Sequence, residues 1–366
     1  EAELQFDVER SLDPGFVHDV TIEDARQSLI GESIQRYSRE SDFPLPLIAG
    51  RTSKPQPLLF IGLDAGNWAS LDPLIAAGRL PGFEQLIARG IRGGLEAAWP
   101  PYWSTVAWGG IVTGEDRESF GMYEDLSAEA PGLPLFQAPL IVTYWSYPMI
   151  GVRRMLVEAG IVRLRVPPRA ALARPPFWET LTLSGRPTAV IRMPFTYPAG
   201  PQTGPVLISD WVGTDWQIMG VTTDGPGPFV SPSDEAPALL KFFEPSPDFN
   251  DQMTAEFFPA GTSGLSDEGR AAVEELRRAF TLDAQTFAAA EHTVRKHQAT
   301  NLALYLGGWD TVNHAFQRFR SASGSDAPLR GVLDRYLILL DRNVQRLIAA
   351  FPSPPDVLVL SAHRFR

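Results

Sequence analysis

The chain, 366 residues long, contains no cysteine. Disulfides, thiolate metal sites and cysteine nucleophiles are thereby excluded, so any bound metal must be held by histidine, carboxylate or hydroxyl groups. Histidine is itself scarce, occurring only at His18, His292, His297, His314 and His363. Lysine is confined to Lys54, Lys241 and Lys296, and the rest of the 32 basic residues are arginine, a bias that reads as GC-rich coding and not as function. There is no excess of positive charge. With a formal net charge of -11, the chain lacks the basic stripe that tracking a nucleic-acid backbone requires. Long hydrophobic runs are missing too: LIVTYWSYPMIGV at 140–152 is too short to span a bilayer and contains Pro148. No signal-peptide pattern is visible, and the first residue is Glu1, which is compatible with removal of an upstream segment. Compartment stays open on these grounds, an extracytoplasmic one included, as does the oligomeric state.

What is present is an ordinary globular composition, 44% hydrophobic and 20% charged, which disfavours disorder and coiled coil. Residues 1–56 are polar, with one helix-like piece and the Pro-rich connector FPLPLIAGRTSKPQP, and read as an extension leading into a domain over 57–366. That domain opens on LLFIGLDAGNW, an apolar strand ending in Asp64. Further runs rich in Val, Ile and Leu recur at 187–193, 205–209, 301–307 and 356–361, with little polar alternation. Such runs suit a parallel sheet covered on both faces, and ligands of open α/β sheets bind beyond the carboxyl ends of the strands. Helical spacing appears after Pro81, a first-turn proline, with Gly90 as its expected C-terminal cap. It recurs from Ser266, an expected N-cap, and again in LRGVLDRYLILLDRNVQRLIAAF. The expected fold is therefore α/β, with a mostly parallel central sheet and Pro/Gly-rich insertions at about 126–178 and 210–262.

Three short patterns can carry chemistry. In GGWDTVNHAF, Asp310 and His314 lie four residues apart and share a helix face, suited to ligating one divalent metal or simply to pairing at the surface. In WPPYWSTVAWGGIVTG, Ser104 opens a helix, where the unpaired amides favour an oxyanion; the serine is a candidate nucleophile or merely a cap, as is Thr105. In VLVLSAHRFR, His363 follows a strand expected to be buried. His292 and His297 fall on different faces of their helix and suggest no site.

Taken in order, these patterns resemble the alkaline phosphatase superfamily, and within it the type I phosphodiesterase / nucleotide pyrophosphatase family. The resemblance covers residues 57–366 with gaps at the insertions, and includes the stretch FWETLTLSGRPTAVIRMPFTYPAGPQTGPVLIS. It implies a three-layer α/β fold with cap-forming insertions and a small-molecule phosphoester substrate. It also implies two divalent metal ions, usually zinc, at the carboxyl end of the sheet. Ser104 falls on the family's nucleophile. Asp64, Ser104 and His363 then match the ligands of one metal, and Asp310 and His314 those of the other. Asp125 lies near the slot where some members place a phosphate-contacting amide.

The chain also departs from the pattern. Where the family reads S-D-H-G, this sequence reads SAHR, so Ala362 replaces a metal carboxylate and Arg364 a glycine. The family's last metal histidine comes from beyond this point. The resemblance thus implies a hydrolysis weakened in this chain, incomplete or altered after VLVLS. The alternatives are a protein of the same fold that binds without turnover, and a phosphomonoesterase, sulfatase or phosphotransferase of the superfamily. Aromatic segments in the insertions, VTYWSYPMI and SDWVGTDW, offer surface for a base, an aryl group or a lipid, or pack internally.

Overall fold

The computed structural model describes residues 56–95, 104–116, 119, 127–129, 136–137, 155–156, 159–165, 172–200, 204–213, 228–259, 261–298 and 301–363. The expected extension at 1–56, the apolar run 140–152, Asp125, Arg364 and the end of SDWVGTDW lie outside these, save Gln56. Residues 56–366 belong to one compact unit.

The first strand, β1 (Leu58–Leu63), is apolar throughout and almost wholly buried, as the strand run LLFIGL requires. Two helices follow it, α1 (Trp68–Ala76) and α2 (Pro81–Arg89). Asn67 caps α1 by accepting the Ser70 amide, and Pro81 occupies the first turn of α2, where its missing N–H costs nothing. Gly90 does end α2, but in an extended conformation and without the left-handed turn expected of a glycine cap. Helix α3 (Ser104–Thr113) comes next, then three short strands, β2 (Ser127–Glu129), β3 (Phe136–Gln137) and β4 (Arg163–Arg165), forming a separate antiparallel sheet within the first insertion.

The main sheet continues with α4 (Phe177–Leu183), β5 (Thr188–Ile191), β6 (Leu207–Ile208) and β7 (Val230–Ser231). After α5 (Pro247–Phe257) comes α6 (Asp267–His297), which starts where Ser266 Oγ accepts the Gly269 amide and stops at Gln298 in the left-handed region. Strand β8 (Asn301–Leu306), α7 (Gly308–Phe316), α8 (Val332–Ala350) and β9 (Asp356–Leu360) follow, and short helical turns join some of these elements. Strand order is β7-β6-β5-β8-β1-β9, and every pair is parallel except β6 with β7.

Successive residues of β1 face opposite layers, as the two-residue period of a strand dictates. Leu59, Ile61 and Leu63 pack with the apolar faces of α6, α7 and α8, while Phe60 packs with Trp108 of α3 and Trp178 of α4. Gly62 has no side chain because Trp108 lies against it; a Cβ there would sit 2.7 Å from the indole ring. Strand β9 corrects an expectation. Its VLVL run reads as buried, yet β1 is its one neighbour in the described sheet and Leu358 is 44% exposed. Local composition cannot distinguish an edge strand from a central one. Among the described residues, no helix is long and apolar enough to cross a membrane.

Candidate active site

Register brings the chemistry together. Gly62 of β1 lies opposite both Tyr305 of β8 and Leu360 of β9, so the three strands end side by side. Asp64 leaves β1 at this end, tethered by its amide to the Leu306 carbonyl at 3.0 Å. Helix α7 leaves β8 here, carrying Asp310 and His314. The Ser361–His363 corner leaves β9, with Ser361 Oγ donating to the His363 carbonyl at 2.8 Å.

The Asp64 carboxylate is 4% exposed and fully engaged. Ser104 Oγ donates to it, lying 3.1 Å from Oδ1 and 3.0 Å from Oδ2. Trp108 Nε1 donates to Oδ1 at 3.0 Å, and the Tyr305 hydroxyl to Oδ2 at 2.7 Å. Ser104 and Trp108 are one helical turn apart and therefore reach the same group. Neither Trp108 nor Tyr305 stands out in the sequence; the signal for Trp108 is its i+4 relation to Ser104. Burial, then the neighbouring Asp64 charge, pushes the Tyr305 hydroxyl well above its ordinary range, so it remains a donor at neutral pH.

Asp310 and His363 complete the group. His363 Nδ1 lies 3.6 Å from Asp64 Oδ1, and its Nε2 4.0 Å from Asp310 Oδ1. One donor atom from each of Asp64, Asp310 and His363 lies within 4.8 Å of the others. Asp310 Oδ1 and His363 Nδ1 are buried without a hydrogen-bond partner. Burial first, then the Asp64 charge, pushes the Asp310 carboxyl up, against the pull of His314 and His363. Two carboxylates and an imidazole converging with orphaned buried donors constitute a set that a divalent cation fits.

His314 shares a helix face with Asp310, its Nε2 3.5 Å from Asp310 Oδ2, but its side chain is 70% exposed. It falls outside the three-residue group, so the geometry joins Asp310 to Asp64 and His363 instead of pairing it with His314 alone. Ala362, at the position where a carboxylate is expected, is buried in the apolar cluster of Phe60 and Trp108. A separate cavity of about 530 Å³ is lined by Phe242, Glu291, His292, Arg295, Lys296 and Arg346, none of them a site residue. Its cations are already paired, Arg295 and Arg346 with Glu291 and Lys296 with Glu235.

The described residues thus form an α/β fold, a mostly parallel sheet between helical layers, with Asp64, Ser104, Asp310 and His363 gathered where β1, β8 and β9 end. Residues 58–365 match the model of the type I phosphodiesterase / nucleotide pyrophosphatase family, and the chain belongs to that family. Similar solved structures include phosphonoacetate hydrolase from Sinorhizobium meliloti in complex with phosphonoacetate (TM-score 0.42) and with phosphonoformate (TM-score 0.43). Each is 14% identical in sequence, with 84% of this chain and 56% of the hydrolase chain covered. The chain thus spans little more than half the length of that protein. No curated protein matches the sequence.

Proposed function

We propose that residues 57–366 form the catalytic domain of a hydrolase acting on small-molecule phosphodiester or pyrophosphate substrates, preceded by the extension at 1–56, with Ser104 as its nucleophile. The observation that carries this reading is the Ser104 hydroxyl bound to Asp64 beside the convergent donors of Asp310 and His363. Asp64, Asp310 and His363 would hold a divalent cation, zinc by family resemblance, with His314 and Ser104 at its margin. Such a cation would neutralise charge on the transferring phosphoryl group and favour ionisation of the serine.

The protein's own groups prepare the rest. Ser104 stands at the start of α3, where the helix dipole favours an incoming anion. Its hydroxyl proton is held against Asp64, which leaves the Oγ lone pairs to face the substrate. Trp108 and Tyr305 fix the Asp64 carboxylate so that it cannot turn away. Attack breaks the Ser104 O–H bond and forms the Oγ–P bond as the P–O bond to the leaving group breaks, the proton passing by way of Asp64 and solvent to the leaving oxygen; water then adds its oxygen to phosphorus, breaks the Oγ–P bond and returns a proton to Ser104.

A second reading draws on Ala362: a buried methyl group in place of a carboxylate leaves less charge to hold cations, which favours a binding protein that turns over slowly or not at all. Metal content of the purified protein and turnover of bis(4-nitrophenyl) phosphate, with Ser104→Ala alongside, separate the two. The hydrolase reading expects bound zinc and a rate that falls by about 100-fold or more in S104A. An S104A rate equal to wild type removes the nucleophile assignment. Protein that retains no metal and shows no turnover belongs to the second reading.

A further inference from the structure

Helix α7, which carries Asp310, begins without a cap of its own: Gly307 occupies the cap position and offers no side chain. Its first amide, that of Gly308, donates instead to Asp283 Oδ1 on α6 at 3.3 Å. The other oxygen of Asp283 accepts the Tyr336 hydroxyl of α8 at 2.8 Å. Three helices therefore meet at one carboxylate, and only hydrogen fits at position 308, where a Cβ would lie 2.0 Å from the Tyr336 hydroxyl and 2.4 Å from Asp283 Oδ2.

Asp283 is buried, at a cost that burial imposes on any carboxylate. The neighbouring cation, Arg192, is buried too, its guanidinium donating to Thr286 Oγ1 at 3.4 Å and to the Asp210 carbonyl at 3.2 Å. Both hydrogen bonds of Asp283 go to other elements, and one of them is to the helix start two residues before Asp310.

We infer that Asp283 is a positioning residue for the candidate cation site: it caps α7 from a neighbouring helix and so sets the direction in which the Asp310 carboxylate leaves that helix. The inference rests on the reading that Asp310 serves a cation. Asparagine at 283 can preserve the geometry without the charge, accepting from the Gly308 amide through its oxygen while its NH2 donates to Tyr336. Alanine can do neither.

The test uses the full chain stripped of metal, with Mn²⁺ binding measured by calorimetry and amide exchange of residues 301–316 by mass spectrometry, at matched folded fractions. Asp283→Ala is expected to speed exchange at 308–310 about 10-fold and to weaken Mn²⁺ binding about 10-fold or more, as loss of an outer-shell support does. Asp283→Asn should stay within about threefold of wild type in both. Unchanged Mn²⁺ binding in D283A, or an equal loss in D283N, overturns the inference. Should D283A fail to fold, Tyr336→Phe carries the test, with faster exchange at 308–310 and weaker Mn²⁺ binding expected and wild-type values overturning it. Wild-type protein that takes up no Mn²⁺, or Asp310→Asn protein that takes it up equally well, sinks the cation reading and the positioning role together, whereas the exchange data still decide whether the cap exists.

Discussion

Replacing Asp64 separates the hydrogen-bond network from the charge it holds. Asparagine keeps one acceptor oxygen and puts an NH2 where the other oxygen stood. Trp108 Nε1 can only donate, so the remaining oxygen must take the Oδ1 side, where the indole sits at 3.0 Å. The NH2 then faces the Tyr305 hydroxyl, which can rotate and accept, as can the Ser104 hydroxyl. Every buried group keeps a partner. What disappears is charge assistance on these bonds, about 1 kcal/mol each, offset by relief of a buried charge and of its repulsion with Asp310. The expected cost of Asp64→Asn in metal-free protein is about 1–2 kcal/mol. Asp64→Ala leaves the Trp108 N–H with no acceptor inside an apolar cluster, a further penalty of about 1–3 kcal/mol. Urea denaturation followed by tryptophan fluorescence reads the difference directly. Both variants should lose Mn²⁺ binding. Equal stabilities for the two variants would refute the network, and wild-type Mn²⁺ affinity in D64N would refute the cation site.

Two further outcomes follow from groups around the site. Ala362→Asp puts a carboxylate into the Phe60 and Trp108 cluster, so metal-free protein should lose about 3 kcal/mol and melt lower; added Mn²⁺ should then raise its melting temperature more than that of wild type. Equal Mn²⁺-induced shifts in thermal melts would count against a cation near this corner. For Asp283, burial outweighs the Tyr336 hydrogen bond, Arg192 and the Gly308 amide, and pushes the carboxyl up to about 6. The folded state therefore holds this proton more tightly than the unfolded chain does. The stability it contributes is complete below the unfolded pKa near 4 and is lost as pH rises through 6, amounting to about 3 kcal/mol. Urea titrations from pH 4 to pH 7 should show wild type falling by that amount relative to Asp283→Asn; a constant difference would exclude the shift.

The parts legible in the sequence are those decided by neighbours along the chain. The strand run ending in Asp64, the cap at Ser266, Pro81 in a first turn and the shared face of Asp310 and His314 all appear where local pattern puts them. What was not legible depends on which strand lies beside which. Tyr305 reaches Asp64 because β8 pairs with β1 across more than 200 residues of chain, and no window around LYLGGWD announces that pairing. The exposure of β9 follows from its place at the sheet edge, and Asp283 looks like a helix-surface acid until Gly308 and Tyr336 are brought to it.

This division bears on function at Ala362. The patterns legible locally, Asp64, Ser104, Asp310 and His363, are the ones the fold gathers at three adjacent strand ends, while the supports hidden in the sequence, Trp108, Tyr305 and Asp283, tie Asp64 and the start of α7 in place. Supports of this kind are costly, since two buried carboxylates must be satisfied by donors from other elements. On the proposed cation reading, the arrangement around Asp64 is preorganised for a positive charge, and alanine at 362, where the family pattern has a carboxylate, adds no negative charge there. On that reading the two proposals for this chain differ in cation affinity and not in folding, and for that reason metal binding, ahead of turnover, is the measurement that discriminates between them.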